Sequence, residues 1–409
     1  MRIKIHKFYF AFIAIVWLQL APEYIELFIE RIKLVNLFFM GLSIGLAAYF
    51  VIGDLDKIRP LLFLFSLPSV LYILSTVQNG GNLYLPIILL LKNVLFCLLV
   101  DVLSKDAMKI NAFLHAVRDI SLLYFVINIA VIILFPQGFD TTHSFASYLY
   151  GNPNVMIRRV LPGLCCSSLL DVKRGKKLSG ITLFFFAGLL LIYATTYFSV
   201  TSVIGVLFIW SWVALKDIIK SRMKITRLAY YSVLLFVLLF EINIVISVSG
   251  ANFDRVLNDF FGKSGNGIVG RRLLWIRASI LLMQKPIIGW GYLAGDALFK
   301  LIGNSSGAHN YFLDIAYQRG LIGLGAFLII IIYSLYRVSK IKFMSDTGYI
   351  LMGYCCMCFL MFLMEPFIGS EPLFIPILYM FLSRGLTETN QYCVTQPQFL
   401  DKMQAYSRI

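Results

Sequence analysis

The stretch QNGGNLYLPIILLLKNVLFCLLVDVLSKDAMK, residues 78–109, sets one long apolar run between two loops of opposite character. Wound as a helix, about 20 apolar residues match the ~30 Å hydrocarbon core of a bilayer. The upstream loop, QNGGN, contains no Lys or Arg, whereas the downstream loop, SKDAMK, holds Lys105 and Lys109. Short cytoplasmic loops of membrane proteins carry an excess of Lys and Arg, so the run has a direction as well as a length. QNGGN faces outward and SKDAMK faces the cytoplasm.

The same pattern extends over all 409 residues, 59% of them hydrophobic and 14% charged. Soluble domains carry roughly one-quarter charged residues, so a soluble enzyme is excluded. Apolar runs centre near Ile15, Leu42, Leu67, Leu90, Val126, Pro162, Gly188, Leu207, Val237, Ile329, Met357 and Ile377. The N-terminus and the loops DLDKIR, SKDAMK, DVKRGKK, KDIIKSRMKITR and RVSKIKF are basic and fall on one side; QNGGN, PQGFDTTHSFASYLYGNPN, TTYFS and EPFIGSEP lack Lys and Arg and fall on the other. EYIELFIERIK is mixed. The expectation is an all-α polytopic membrane protein, one domain over residues 1–409, with about 12 transmembrane helices and both termini cytoplasmic. The basic start and apolar run at the N-terminus lack a small-residue cleavage site and read as an uncleaved first helix. The seven cysteines lack zinc or redox spacing and read as small apolar side chains. No metal or cofactor site is expected, and the basic loops are explained by topology without nucleic acid.

One external region departs from this pattern. A large loop lies between spans 9 and 10, residues 250–320, and its part from Gly250 to His309 has seven basic and three acidic residues, a net of +4. The charge rule weakens over so long a loop, and an anion-binding surface is the other reading. Within it RRLLWIRASILLMQKP predicts an amphipathic helix closed by Pro286, with Arg271, Arg272, Trp275 and Ser279 in one sector and Arg277 in the apolar arc. Arginine suits a diphosphate because its planar guanidinium offers forked donors and stays charged. The glycines of GWGYLAG point to backbone passing close to a ligand or another helix. Asn310 reads as the N-cap of a helix through Gln318 that Gly320 ends. That places His309 at a helix N-terminus, where it is a candidate general base or an interface histidine bonded to the loop backbone. Arg158 and Arg159 lie one turn into the span that begins near Asn154; they either line a polar cavity or snorkel to the outer surface. Lys92 and Glu241 sit mid-span with no evident partner.

Together, GRRLLWIRASILLMQKPIIGWGY and SGAHNYFLDIAYQRGLIGLGAF resemble the C-terminal signature of the O-antigen polymerase and O-antigen ligase superfamily. The matching positions are Gly270, Arg271, Trp275, Pro286, Gly289, Gly291, His309, Asn310, Gly320 and Gly323; GNPN, from Gly151 to Asn154, is similar to a further family feature. The resemblance implies a GT-C-like glycosyltransferase that uses neither metal nor nucleotide. Its donor and acceptor would be oligosaccharides on undecaprenyl diphosphate at the periplasmic face of the bacterial inner membrane. Membrane lipid surrounds such an enzyme, and a chain-length regulator protein is a candidate further partner. By the same resemblance Arg271 and His309 are the expected catalytic pair; Arg158, Arg159, Arg272, Arg277, Asn154 and Asn310 are the candidate substrate contacts read from the residues themselves. Ligases of this type carry a Ser-Arg-Gly motif after their central helix, where this chain has TTYFSVTSVIG with Val200 in place of the Arg. A polymerase is therefore favoured, with a ligase as the alternative. A lipid-linked glycan flippase is the alternative from another class; it would show charges through several mid-spans and repeated halves.

Overall fold

The computed structural model describes residues 2–26 and 59–383, except 18, 105, 140–145, 152, 177, 196–198, 247–267 and 305, together with part of 38–49. The expectations placed on 250–267 and on the C-terminal tail lie outside the described residues. The described chain is helical, and its single β feature is an isolated bridge between Tyr148 and Gly151. The helices are α1 (Arg2–Val16), α2 (Leu61–Gln78), α3 (Tyr84–Leu103), α4 (Ala107–Leu134), α5 (Pro153–Lys173), α6 (Gly180–Thr195) and α7 (Val200–Ala214). They continue with α8 (Lys216–Ser221), α9 (Met223–Ile246), α10 (Ile268–Gln284), α11 (Gly295–Ile302), α12 (Tyr311–Lys340), α13 (Asp346–Phe362) and α14 (Glu371–Leu382). Every apolar run named above has its centre in a helix, Leu42 in a helical stretch at 41–46. Among the described residues five helices are long and apolar enough to cross a membrane, namely α2, α3, α4, α9 and α12. Four shorter apolar helices accompany them.

Helix α13 sits at the centre, with α5, α7, α9 and α14 packed around it. It is buried from Gly348 to Phe359, as a helix apolar on all sides must be. Outward faces are also apolar: Phe63 and Leu74 on α2, Leu228 and Leu235 on α9, and Ile332 on α12 are all exposed. Water would make such a surface aggregate, whereas lipid accepts it. The six described cysteines are buried and free.

Gly320 breaks α12 with φ 67° and ψ −177°. A break frees backbone groups that lipid cannot satisfy. Here the segment from Pro286 to Gly291 runs alongside and satisfies them. The amides of Leu321 and Ile322 donate to the carbonyls of Pro286 and Ile287 at 2.7 and 3.3 Å; those of Trp290 and Gly291 donate to the carbonyls of Tyr317 and Gln318 at 2.9 and 2.8 Å. Backbone packs on backbone, so side chains must be absent. A Cβ at Gly320 would lie 2.1 Å from the Ile287 carbonyl oxygen, and one at Gly289 2.5 Å from the Gly320 nitrogen. The close approach read from GWGYLAG is thus helix to strap.

The expected amphipathic helix is α10. It buries Trp275, Ala278 and Leu281 against α11 and α12, and it exposes Leu273, Ile280 and Met283. Arg271 shares the inward side with Trp275, so the polar sector faces the protein.

Candidate active site

Four segments meet beside the turn that joins α13 to α14. Helix α5 brings Arg158, α10 brings Arg271, the loop before α12 brings His309, and the turn between α13 and α14 brings Glu365. The loop is built by two caps. Asn310 accepts from the Leu313 amide at 3.0 Å and closes the N-terminus of α12. Asp314, one turn on, reaches back to accept from the Ala308 amide at 2.8 Å. Between them His309 takes φ 53°, making it the only non-glycine residue in the left-handed region among the described residues. Such a conformation costs of order 1–3 kcal/mol and persists only where the surroundings impose it.

Glu365 is 1% exposed and lies between the cations. Its Oε1 is 3.5 Å from Nη2 of Arg271, and its Oε2 is 3.9 Å from Nδ1 of His309. The same turn holds Arg158, whose Nη1 donates to the Pro366 carbonyl and whose guanidinium lies 5.5 Å from the Phe367 ring centre. Nε2 of His309 accepts from Nδ2 of Asn304 at 3.1 Å. Asn310 also donates to Glu241 at 3.0 Å, which supplies the mid-span acid with the partner the sequence does not reveal. Trp275 anchors α10, its ring set edge-on to Phe240 at 6.2 Å.

Other sequence-predicted residues stand apart from this cluster. Arg159, next to Arg158 on α5, turns away and pairs with Glu26 at 2.7 Å while donating to the Ala21 carbonyl at 3.1 Å. Lys92 reaches the other oxygen of Glu26 at 3.2 Å. Burial raises the Glu26 carboxyl, but Arg159 and Lys92 outweigh it and hold the group below the ordinary carboxylate range. Arg277 is exposed and stands outside the cluster; it donates to the Ile302 carbonyl at 3.0 Å and closes the C-terminal end of α11. Arg272 is half-buried on α10, and Asn154 lies in the first turn of α5, its side chain outside the described residues. Among the described residues no group of three or more His, Cys, Asp or Glu side chains converges as metal ligands would.

The sequence reading missed Glu365 because it scanned EPFIGSEP for bases. The available signal was a Glu-Pro step in an apolar setting, which EPFIGSEP holds twice, at Glu365 and Glu371. Chemically, the cluster offers two guanidiniums for an anion, one imidazole for a proton and one carboxylate between them.

Residues 180–328, from α6 through the break in α12, match the family model described as O-antigen ligase. No curated protein matches the chain. Arg271 and His309 lie inside the matched segment, while Arg158 and Glu365 come to it from α5 and from the α13–α14 turn. With its apolar helices, the chain is a polytopic membrane protein that carries, over residues 180–328, a segment similar to the O-antigen ligase family.

Proposed function

We propose that the chain is an O-antigen polymerase, which transfers a growing glycan from undecaprenyl diphosphate to a sugar hydroxyl at the non-reducing end of another lipid-linked repeat. The convergence of Arg271, Arg158 and His309 carries this reading. In the proposed step the acceptor oxygen bonds to the anomeric carbon as the bond from that carbon to the diphosphate breaks. The electron pair goes to the bridging oxygen, and the hydroxyl proton goes to His309. Charge grows on the leaving diphosphate, so guanidiniums fixed in a water-poor site stabilise the transition state more than the ground state. Direct displacement inverts the anomeric carbon. Arg272 and Asn154 are proposed as further donor contacts, with Asn310 holding the loop. Arg159 and Arg277 support the walls of the site through Glu26 and the Ile302 carbonyl.

The proposed topology is twelve spans, both termini cytoplasmic and the site periplasmic in a bacterial inner membrane. What supports it is that Arg158 at the site donates to Pro366 of EPFIGSEP and Lys285 to Asn79 of QNGGN, whereas the basic segments meet one another, Lys216 donating to Asp346 and Arg227 to the Ile341 carbonyl. Val200, standing where ligases of this type carry arginine, favours the polymerase. A deletion strain decides between them by the gel pattern of its surface polysaccharide. A lipid A core bearing one repeat is expected; an unsubstituted core with lipid-linked polymer accumulating would make the enzyme a ligase.

A further inference from the structure

We propose that Glu365 is a positioning residue for His309: its carboxylate receives the imidazole Nδ1–H and holds the imidazolium that forms when Nε2 takes the acceptor proton. The inference rests on the base role of His309 in the polymerase reading. An amide nitrogen only donates, so the contact from Asn304 Nδ2 at 3.1 Å assigns the lone pair to Nε2. The proton of a neutral ring then lies on Nδ1. That atom is buried with no hydrogen-bond partner, and Oε2 of Glu365 is 3.9 Å from it. Buried donors are rarely left unpaired, and closing this gap by about 1 Å makes a charge-assisted hydrogen bond. The resting geometry is therefore one short movement from an oriented base.

Glu365 is well placed to matter electrostatically. It stands 2% exposed at the side chain among Arg271 of α10, Arg158 of α5 and His309. Asp314 of α12, Tyr193 of α6 and, through Asn310, Glu241 of α9 face the same cluster. One oxygen of Glu365 faces Arg271, and its second oxygen faces the ring that must become cationic. In the transfer step the acceptor proton passes to Nε2, displacing the Asn304 amide, and the new positive charge faces Glu365 through Nδ1–H. The proton leaves to water once the diphosphate has departed.

The test uses the purified full-length chain and lipid-linked repeat extracted from its own deletion strain. At equal abundance Glu365→Gln is expected to turn over roughly tenfold to a hundredfold more slowly. Without the carboxylate the imidazolium is less favoured, so the acid limb of its pH profile should also move to lower pH. Glu365→Asp should keep the wild-type acid limb and recover part of the rate. A Glu365→Gln enzyme with wild-type rate and wild-type acid limb overturns the proposal, as does a slow one whose acid limb has not moved. If the Gln variant does not accumulate, Glu365→Asp decides through its rate, and an unchanged rate overturns the proposal. His309→Gln runs in parallel. Wild-type turnover in that variant removes the base reading itself, whereas an inactive His309→Gln beside an unaffected Glu365→Gln removes only the role of Glu365.

Discussion

The two ends of the molecule use the same charged residue types in opposite ways. At the basic end, Lys216 meets Asp346 at 2.6 Å and Lys220 meets the same carboxylate, with Asp346 38% exposed. Water screens such pairs, and their contribution to stability is small. At the other end Arg158 and Glu365 are 8% and 1% exposed. A charge out of water must be paired and hydrogen-bonded or it is costly to keep, so arginines there imply a task or a partner. Sequence charge counts treat Asp346 and Glu365 alike, whereas the structure leaves one carboxylate in water and takes the other out of it.

The largest expected effect breaks the active end. Arg271→Ala should remove about 2 to 4 kcal/mol of transition-state stabilisation, roughly 30-fold to nearly a thousandfold in rate. Lys220→Ala should leave turnover within about twofold, since its pair is exposed. Rates of lipid-linked repeat turnover at equal abundance check both, and similar losses in the two variants would erase the distinction between ends. His309→Asn belongs with this experiment. Asn tolerates the left-handed backbone that His309 occupies, so activity should vanish while thermal stability is kept or improved. A large drop in melting temperature would instead make His309 a structural residue.

Next in size is the strap. Gly320→Ala meets both a positive φ and an Ile287 carbonyl oxygen 2.1 Å from the new Cβ. A cost of about 2 kcal/mol or more is expected, seen as a lower melting temperature in detergent. An unchanged melting temperature would mean that the break in α12 is not held as described.

The smallest effect sharpens the contrast between neighbours on α5. Arg159 and Lys92 hold the Glu26 carboxyl low, so the cluster stabilises the fold above the ordinary carboxylate range and that stability is lost as pH falls through the lowered value. Glu26→Gln should be less stable than the wild type at neutral pH, and the gap should close on acidification. A gap independent of pH would remove the ion pair from the account.

The sequence by itself determined what depends on near neighbours. Apolar run length and loop charge specified a helical membrane protein; Asn310 announced the start of α12 and Gly320 its break, because caps and breaks are set within one turn. Arg271 and His309 stand out in the sequence through a motif, and the fold sets Glu365 beside each of them. Tertiary structure alone decided which cations share the site. Arg158 and Arg159 are adjacent in sequence, but successive helical residues point about 100° apart, and the packing of α5 on α13 and α14 turns one toward Pro366 and the other toward Glu26. Glu365 lies 94 residues from Arg271, so nothing local couples them. A long-range pair of this kind is created by the docking of helices, and it leaves no periodic trace in the chain.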